Sequence, residues 1–297
     1  MSATLDRAAA ARVPLLADGY WAGVWRRLKR DPVTLAVMGG LLVIVLVSVF
    51  APLLTSYGPY EPTAVGRLKP IGTPGHWLGT DDTGRDLWTR LLYGGRLSLL
   101  MGVTPVLVAL GVGGTIGVVA GLAGGLLNTV IMRTADVFYA FPSVLLAIAI
   151  CGVFGAGAGS TIIALSIVFT PPLLRVSEGV AAQIRGLDYV AAARASGTGF
   201  FQIMRHHVIP NAAPSILVYA TSLVSLSIIL SSGLSFLGLG VAPPAAEWGL
   251  MLNALRQGMY VQPLLAALPG LMIFLTSMFF NLAADGLRGA MDVRLAR

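Results

Sequence analysis

Charged residues are scarce in this sequence. Lysine, arginine, aspartate and glutamate together make up 11% of its 297 residues, and 56% of the residues are hydrophobic. Soluble domains carry roughly 25% charged residues. Only two residues, Lys29 and Lys69, are lysines, and neither follows a glycine, so the sequence has no G-x-x-x-x-G-K-[ST] phosphate-binding loop. The composition predicts an integral membrane protein and excludes a P-loop ATPase.

Disulfide partners and metal ligands are also few. Cys151 is the only cysteine and lies in an apolar run, so no disulfide can form within the chain and we expect a small buried side chain. His206 and His207 are adjacent and would point to different faces of a helix, which disfavours a shared metal. The acidic cluster at 81–86 lacks the glycine and distal glutamate of an EF-hand loop, so capping and ion pairing are favoured over calcium. We predict no metal site.

Long uncharged runs are what the sequence has instead. About 20 apolar residues cross 30 Å of hydrocarbon as a helix. The glycines at 111–121 have the small-residue spacing that allows two helices to approach closely, and Gly121 to Gly125 are expected to end the second span. Pro171 and Pro172 are expected to bend the fourth. We predict an all-α integral membrane protein with six transmembrane helices, at 33–54, 97–132, 137–154, 160–174, 211–237 and 263–284.

The segments between these runs are polar. Three aromatic residues stand beside four basic residues at 20–30, a pattern typical of an interfacial helix. Thr80 or Asp81 is expected to cap a helix at 83–92. The chain therefore divides into a cytoplasmic tail with an interfacial helix at 1–32, a first transmembrane helix at 33–54, an extracytoplasmic loop between helices 1 and 2 at 55–96, a core of five transmembrane helices at 97–284 that includes a loop at 179–210, and a cytoplasmic tail at 285–297.

The basic residues are unevenly distributed between the two sides of this topology. Six crossings put both termini on one side, and that side carries fourteen of the 20 lysines and arginines, against six on the other. Positively charged residues are enriched in cytoplasmic segments of membrane proteins. The count predicts that both termini and the polar loop at 188–210 are cytoplasmic.

That loop is a polar island between two apolar runs. Its alanine-rich part at 189–196 predicts a helix, Gly197 a stop, and 199–208 a second short helix ended by Pro210. A helix, a glycine turn and a second helix would offer a structured surface to a soluble partner.

Ionisable residues are nearly absent from the predicted spans. Coupling to protons or sodium usually needs buried acidic groups or histidine near the membrane centre. The nearest candidates, Arg175 and Glu178, are expected beyond the double proline, at the cytoplasmic end of the fourth span, where they could pair with each other. An ion-coupled secondary transporter is therefore disfavoured. A channel or a purely structural subunit would not need the helical loop at 188–210.

Three stretches resemble the ABC importer permeases, specifically the second permease of dipeptide, oligopeptide and nickel importers. The loop at 188–210 is similar to the family's EAA loop, with Ala191 in place of the glutamate and His207 in place of an isoleucine. LGTDDTGRD at 78–86 and GLSFLGLGVAPPAAEWG at 233–249 are similar to two further motifs of that branch. The resemblance implies a type I ABC importer permease fold with a cytoplasmic coupling helix.

The resemblance also implies functional residues. In the coupling loop, contact with an ATPase is expected from Asp188, Tyr189, Ala191, Ala192, Ala193, Arg194, Gly197, His207, Ile209 and Pro210. The extracytoplasmic motif residues are Gly79, Thr80, Asp81, Gly84, Arg85, Asp86, Glu247, Trp248 and Gly249. For Glu247 and Trp248 two interpretations stay open: an anchor at the membrane surface, or a gate or contact with a binding protein.

By the same resemblance the chain is a transport subunit and not an enzyme, in the cytoplasmic (inner) membrane of a bacterium. It holds no cofactor, whereas ATP and magnesium belong to two ATPase subunits. The other expected partners are a paralogous permease, an extracytoplasmic solute-binding protein and membrane lipid, with no nucleic acid. The expected substrates are dipeptides or oligopeptides, with nickel or glutathione as alternatives.

Overall fold

Helices are the only regular secondary structure in the part that the computed structural model describes, residues 20–291. No β-sheet forms among these residues, and the only bridges are isolated ones in the loop after the first span. The helices are α1 Tyr20–Leu28, α2 Pro32–Val49, α3 Ala51–Leu54, α4 Leu87–Ala109, α5 Thr115–Ala123, α6 Gly125–Tyr139, α7 Ser143–Phe154, α8 Ala158–Arg185, α9 Asp188–Ala195, α10 Phe200–Ile203, α11 Ile209–Phe236, α12 Trp248–Ala254 and α13 Pro263–Met291. Of the predicted tails at 1–32 and 285–297, residues 1–19 and 292–297 lie outside the described residues, whereas 285–291 are not a separate tail but continue α13.

Two of the long helices contain a single π-helical turn. Leu110–Gly114 joins α4 to α5, and Met204–Val208 joins α10 to α11. Five helical runs are then long and apolar enough to cross a membrane, and α6 with α7 makes a sixth crossing if the pair, bent by 83°, is counted as one. The five runs are Pro32–Val49, Leu87–Ala123, Ala158–Arg185, Phe200–Phe236 and Pro263–Met291. This agrees with the predicted all-α fold and its count of spans.

The third predicted span is wrong as a single helix over 137–154. α6 begins at Gly125, after Gly124 has turned the chain with a φ of +67°, and it ends at Tyr139. Pro142 then caps α7. Proline has no N–H and disfavours helical geometry in the residue before it, so the helix breaks here and the chain leaves at a new angle.

The second and fourth predicted spans are too short at one end. α4 begins at Leu87, ten residues before the predicted 97, because Asp86 caps it: the carboxylate accepts a hydrogen bond from the Thr89 N–H at 2.8 Å. Thr80 and Asp81, the predicted caps, do not cap this helix. α8 runs through Pro171 and Pro172 to Arg185.

The continuation of α8 changes the pairing of its charges. Arg175 pairs with Asp136 on α6, and the Asn128 amide donates to Glu178 Oε1 at 2.7 Å. The predicted pair between Arg175 and Glu178 is therefore wrong, because α6 packs alongside and supplies a partner to each.

Glycines bring α5 and α8 into backbone contact, as their spacing predicts. A Cβ added to Gly113, Gly117 or Gly121 would lie 2.5, 2.3 or 2.4 Å from the backbone oxygens of three residues on α8. Those oxygens belong to Thr170, Leu174 and Glu178. A stripe of glycines thus lets α8 pack directly against backbone inside the main core, which α4, α5, α7, α8 and α11 build.

The linkers gather at two ends because successive spans run in opposite directions. We call one the Gly197 end: it holds α9, the turn at 124, and α1 packed through Val24 and Leu28 on Ala290 of α13. We call the other the Trp248 end: it holds the loops 55–86 and 237–262. The coupling loop at 188–210 therefore lies at one end of the bundle, and the motifs at 78–86 and 233–249 lie at the other end.

Candidate coupling segment and motif sites

The segment 186–210 forms a folded projection at the Gly197 end. α9 covers Asp188–Ala195, close to the predicted 189–196. Val190 is fully buried in the main core, together with Ile203 and Val208 from the second half of the segment. These three side chains fix the projection to the bundle, so it is not a free loop.

Gly197 ends α9 in the predicted manner. Its φ is +80°, a left-handed conformation that non-glycine residues rarely adopt. The Gly197 N–H donates to the Arg194 carbonyl at 2.9 Å and the Thr198 N–H to the Ala193 carbonyl at 3.1 Å. This pair of bonds is the Schellman motif, which satisfies carbonyls left open at a helix C-terminus.

Pro210 does not end a helix, so that part of the prediction is wrong. It lies in the first turn of α11, where a missing N–H breaks no helical bond. The π-helical turn Met204–Val208 carries the chain from α10 directly into α11. The predicted second short helix is thus the first part of the fifth span.

Noncovalent contacts join α9 to the π-helical turn at 204–208 and to the first turn of α11. The Tyr189 and His207 rings are 5.9 Å apart, and the Asn211 amide donates to the His207 carbonyl at 2.6 Å and to Tyr189 Oη at 3.4 Å. His207 therefore packs within the segment. Among residues 20–291, no group of three or more His, Cys, Asp or Glu side chains could hold a metal ion.

The outer face of the segment is assembled from most of the predicted coupling residues. The structure exposes Asp188, Tyr189, Ala191, Ala192, Arg194, Gly197, Ile209 and Pro210, and half-buries Ala193 and His207. Sequence reasoning did not single out Phe201, which is 75% exposed and packs edge-on against Phe200 in the same segment. Two adjacent aromatic residues inside a polar island were the available signal.

At the Trp248 end, Asp81 is the centre of a buried polar network. Its carboxylate accepts from the Arg85 side chain at 2.7 Å, from the Arg85 N–H at 2.9 Å and from the Thr83 N–H at 2.9 Å. Arg90, 3.2 Å from Asp81, is the second centre and is absent from the predicted set. The neighbouring Asp82 is half-buried, and burial followed by the Asp81 charge raises its pKa.

Arg90 joins two distant stretches of the chain. Its guanidinium donates to the carbonyls of Pro59 at 2.8 Å, Pro244 at 3.2 Å and Ala245 at 3.0 Å. Asp86 holds the loop from the other side, because it caps α4 and also accepts from His76 Nδ1 at 2.8 Å. The LGTDDTGRD motif thus folds the loop 55–86 onto the loop 237–247.

Gly79 and Gly84 both have left-handed backbone conformations in this loop. At Gly79 a Cβ would lie 2.1 Å from the Lys69 carbonyl oxygen. Thr80, which is fully buried, donates to the Gly66 carbonyl at 2.7 Å. These motif residues therefore stabilise the conformation of the loop 55–86.

Glu247, Trp248 and Gly249 lie inside the protein. Glu247 is 1% exposed and accepts from Ser98 Oγ at 3.1 Å and from the N–H groups of Gly249 at 2.9 Å and Leu250 at 2.8 Å. Trp248 is fully buried and donates through Nε1 to the Leu91 carbonyl at 2.9 Å. Burial raises the pKa of Glu247, while the two backbone N–H groups lower it. In this conformation neither side chain can reach a membrane surface or a partner.

Comparison with known proteins agrees with this architecture. Residues 113–297 match the family described as binding-protein-dependent transport system inner membrane component, and residues 19–70 match the N-terminal TM domain of oligopeptide transport permease C. The inward-facing MetNI methionine ABC transporter has a similar fold, with a TM-score of 0.57 and 18% identity over 68% of this chain and 96% of that chain.

Two curated relatives cover nearly the whole chain. It is 39% identical over 295 residues to the glutathione transport system permease protein GsiD of Pectobacterium atrosepticum, with 97% of both chains covered. It is 38% identical over 277 residues to the dipeptide transport system permease protein DppC of Alkalihalophilus pseudofirmus, with 93% of this chain and 90% of the relative covered. The chain therefore belongs to the family of inner-membrane components of binding-protein-dependent transport systems, as a transmembrane permease subunit of an ABC importer in the dipeptide and oligopeptide branch.

Proposed function

We propose that this permease forms, together with a paralogous permease, the pathway through which an ATP-driven importer carries dipeptides or oligopeptides. The dipeptide permease relative supports this substrate class. Glutathione is the second candidate, favoured by the relative that is 39% identical over 97% of both chains. Both candidates share peptide chemistry, with a free amine and free carboxylates.

The main support for this proposal is the structure of segment 186–210. It is a folded projection with an exposed outer face, and it is fixed to the core through Val190, Ile203 and Val208. Such a surface suits a soluble partner. We assign that partner as the two separate ATPase subunits, which bind ATP and magnesium, because this sequence contains no phosphate-binding loop of its own.

Movement of α9 would be transmitted to two spans. Its start is tied to the end of α8, where the Leu187 N–H donates to the Ile184 carbonyl at 3.1 Å. Its first turn is tied to α11 through Tyr189, His207 and Asn211. When the ATPases close on ATP, α8 and α11 would therefore move with α9 as rigid bodies, a common means of switching between two states.

The distribution of charges supports an orientation in a bacterial inner membrane. We place the Gly197 end in the cytoplasm, since it collects α1, the 186–210 segment and most of the basic residues. The Trp248 end then faces the solute-binding protein. At that end Trp77 is 72% exposed and Tyr60 is 53% exposed, so these residues suit a partner better than the buried Glu247 and Trp248.

ATPase activity tests this assignment. The chain is reconstituted in lipid with its second permease and ATPases, and ATP hydrolysis is measured with binding protein that is empty or loaded with dipeptide or with glutathione. Stimulation by one loaded form identifies the substrate. Failure of any ATPase to bind the permease would contradict the role given to 186–210.

A further inference from the structure

The break between α6 and α7 leaves an open groove near the middle of the bundle. Its volume is about 390 Å³, and its walls come from the broken pair, from α8 and from α11. The lining is mainly aromatic and apolar, and includes Tyr139, Phe141, Ser143, Phe169, Pro171 and Tyr219. Ligand pockets typically measure roughly 300–1,000 Å³ and are lined in this way.

Charged side chains border this groove. Arg175 forms an ion pair with Asp136, and its guanidinium lies 5.1 Å from the ring centroid of Tyr139, which itself lines the groove. Arg133 lies 3.5 Å from the other oxygen of Asp136. Glu178, the nearest other acid on α8, is held by Asn128 at 2.7 Å. Two arginines therefore share the carboxylate of Asp136.

These charges are accessible although they belong to helices of the spanning bundle. The side chains of Arg175 and Asp136 are 51% and 37% exposed. Half-exposed charges on a spanning helix are costly against hydrocarbon and normally face water or protein. This side of the protein therefore borders an aqueous pathway or another subunit, unlike α2, whose apolar side chains are largely exposed.

We propose that the groove binds the transported peptide by its two termini. The peptide carboxylate is bound by the forked guanidinium of Arg175, the ammonium by Asp136, and the side chains lie against the aromatic lining. This inference rests on the proposed function and adds the residues and the chemical feature that are recognised, a zwitterion with a free carboxylate. An exposed ion pair contributes little stability, so a zwitterion can replace its two halves with little loss.

A single thiol can report occupancy of the groove. Cys151 is buried and is the only cysteine, so Cys151→Ser gives a cysteine-free background. Ser143→Cys then places a thiol in the groove lining, and Val43→Cys places one on the exposed face of α2. Alkylation by a charged maleimide is measured in the nucleotide-free assembly with the second permease and the ATPases, with and without dialanine.

The proposal predicts fast alkylation of the groove thiol and slow alkylation on α2. Dialanine at ten times its half-protecting concentration slows the groove reaction about tenfold, as mass action requires. N-acetyl-dialanine amide, which lacks both charges, does not protect. Arg175→Gln raises the half-protecting concentration at least about tenfold, the loss expected for one charge-assisted hydrogen bond. Arg256→Gln, at an exposed arginine of the Trp248 end, changes it little.

Three results would overturn the inference. Equal alkylation rates at the two positions would deny an aqueous groove. A groove thiol that reacts in the isolated chain but not in the assembly would show that the second permease covers this face. Protection that is unchanged by Arg175→Gln would contradict the proposed contact between Arg175 and the peptide carboxylate.

ATPase stimulation is measured on the same samples and separates two kinds of failure. If loaded binding protein still stimulates ATP hydrolysis, only this inference fails. If it does not stimulate, the proposed function fails whatever the thiol reports.

Discussion

Two glycines of the coupling segment, two residues apart, make different demands on the backbone. Gly197 has a φ of +80°, whereas Gly199 has a φ of −69° and a ψ of 158°, which any residue adopts. A Cβ at either position would meet no atom within 4 Å. Substitution at the two sites therefore separates backbone strain from steric contact.

We expect Gly197→Val to uncouple transport without preventing membrane insertion. A β-branched residue in the left-handed region costs at least about 1–2 kcal/mol and opens the Schellman bonds that end α9. Uptake by the reconstituted transporter, normalised to the amount of assembled complex, measures this. Gly199→Val is the matched control and should transport normally. Equal loss in both variants, or normal uptake with Gly197→Val, would count against a fixed turn at 197.

Glu247 gives stability a pH dependence of defined sign. Burial raises its pKa above the ordinary value of 4.5, so the folded protein holds this proton more tightly than the unfolded chain does. The resulting stabilisation is complete below the unfolded pKa and is lost as pH rises through the folded pKa. The glutamine of Glu247→Gln cannot ionise, so this variant does not lose stability as the pH rises.

We therefore expect wild type to lose stability relative to Glu247→Gln as the pH rises above about 4.5, by on the order of 1 kcal/mol for each unit of raised pKa. Thermal unfolding of the two detergent-purified proteins across this range measures the difference. Asp82 also has a raised pKa, but it contributes equally to the stability of both proteins and so does not affect the difference between them. A difference that is constant with pH, or that changes in the opposite direction, would contradict the assignment.

The sequence identified many residues of these sites but not what they contact. Asp81, Asp86 and Glu247 were singled out from motifs, and the structure gives each a buried set of donors. The missed residues are those whose partners are distant in sequence, such as Arg90, which bonds to Ala245, or Ser98, which bonds to Glu247. Composition and spacing carry no information about such pairs, because they depend on how α4 and α12 pack.

At the scale of helices, apolar runs located the spans, whereas prolines misled their boundaries. Pro210 was expected to end a helix, yet the run 200–236 continues through it. α8 extends past Pro171 and Pro172 as far as Arg185. Pro210 lies in the first turn of α11, directly after the π-helical turn, where its missing N–H breaks no helical bond. Pro142 does coincide with a break, and sequence alone gave no reason to treat it differently.

The glycine stripe of α5 is the element whose packing was predictable from spacing, and it can be tested. Gly117→Ala would put a methyl group 2.3 Å from the Leu174 carbonyl oxygen, which is backbone and cannot rotate away. We expect destabilisation of about 1–3 kcal/mol, typical of overpacking. The apparent melting temperature in detergent measures it.

Gly111→Ala is the matched control for that substitution. It lies in the same glycine-rich run, and an added Cβ would meet nothing within 4 Å. The variant should melt near the wild-type temperature. Similar melting temperatures for both variants would show that α5 and α8 separate easily and that the backbone contact contributes little.

At the scale of the whole molecule, Arg90 joins two loops that are far apart in sequence, since it bonds to Pro59 and to Ala245. A lysine has one ammonium group in place of the forked guanidinium and cannot reach the same carbonyls together. Arg90→Lys should therefore loosen loop 55–86. Trypsin cleavage after the exposed Arg67 should be faster than in wild type, while Arg256→Lys, an exposed change at the same end, should leave the rate unchanged.

The topology of the whole chain is the remaining prediction. Six crossings with the basic residues concentrated at the Gly197 end predict that this end is cytoplasmic. In the Cys151→Ser background, Ser196→Cys and Ser56→Cys each replace one exposed serine, at the Gly197 end and the Trp248 end respectively. A membrane-impermeant maleimide should label the cysteine at 196 only in inverted vesicles and the cysteine at 56 only in right-side-out vesicles.

The reverse labelling pattern would put segment 186–210 outside the cell, where no ATP is available, and would remove the basis for coupling through α9. Labelling of both from one side would mean that the bent pair α6–α7 does not complete a crossing.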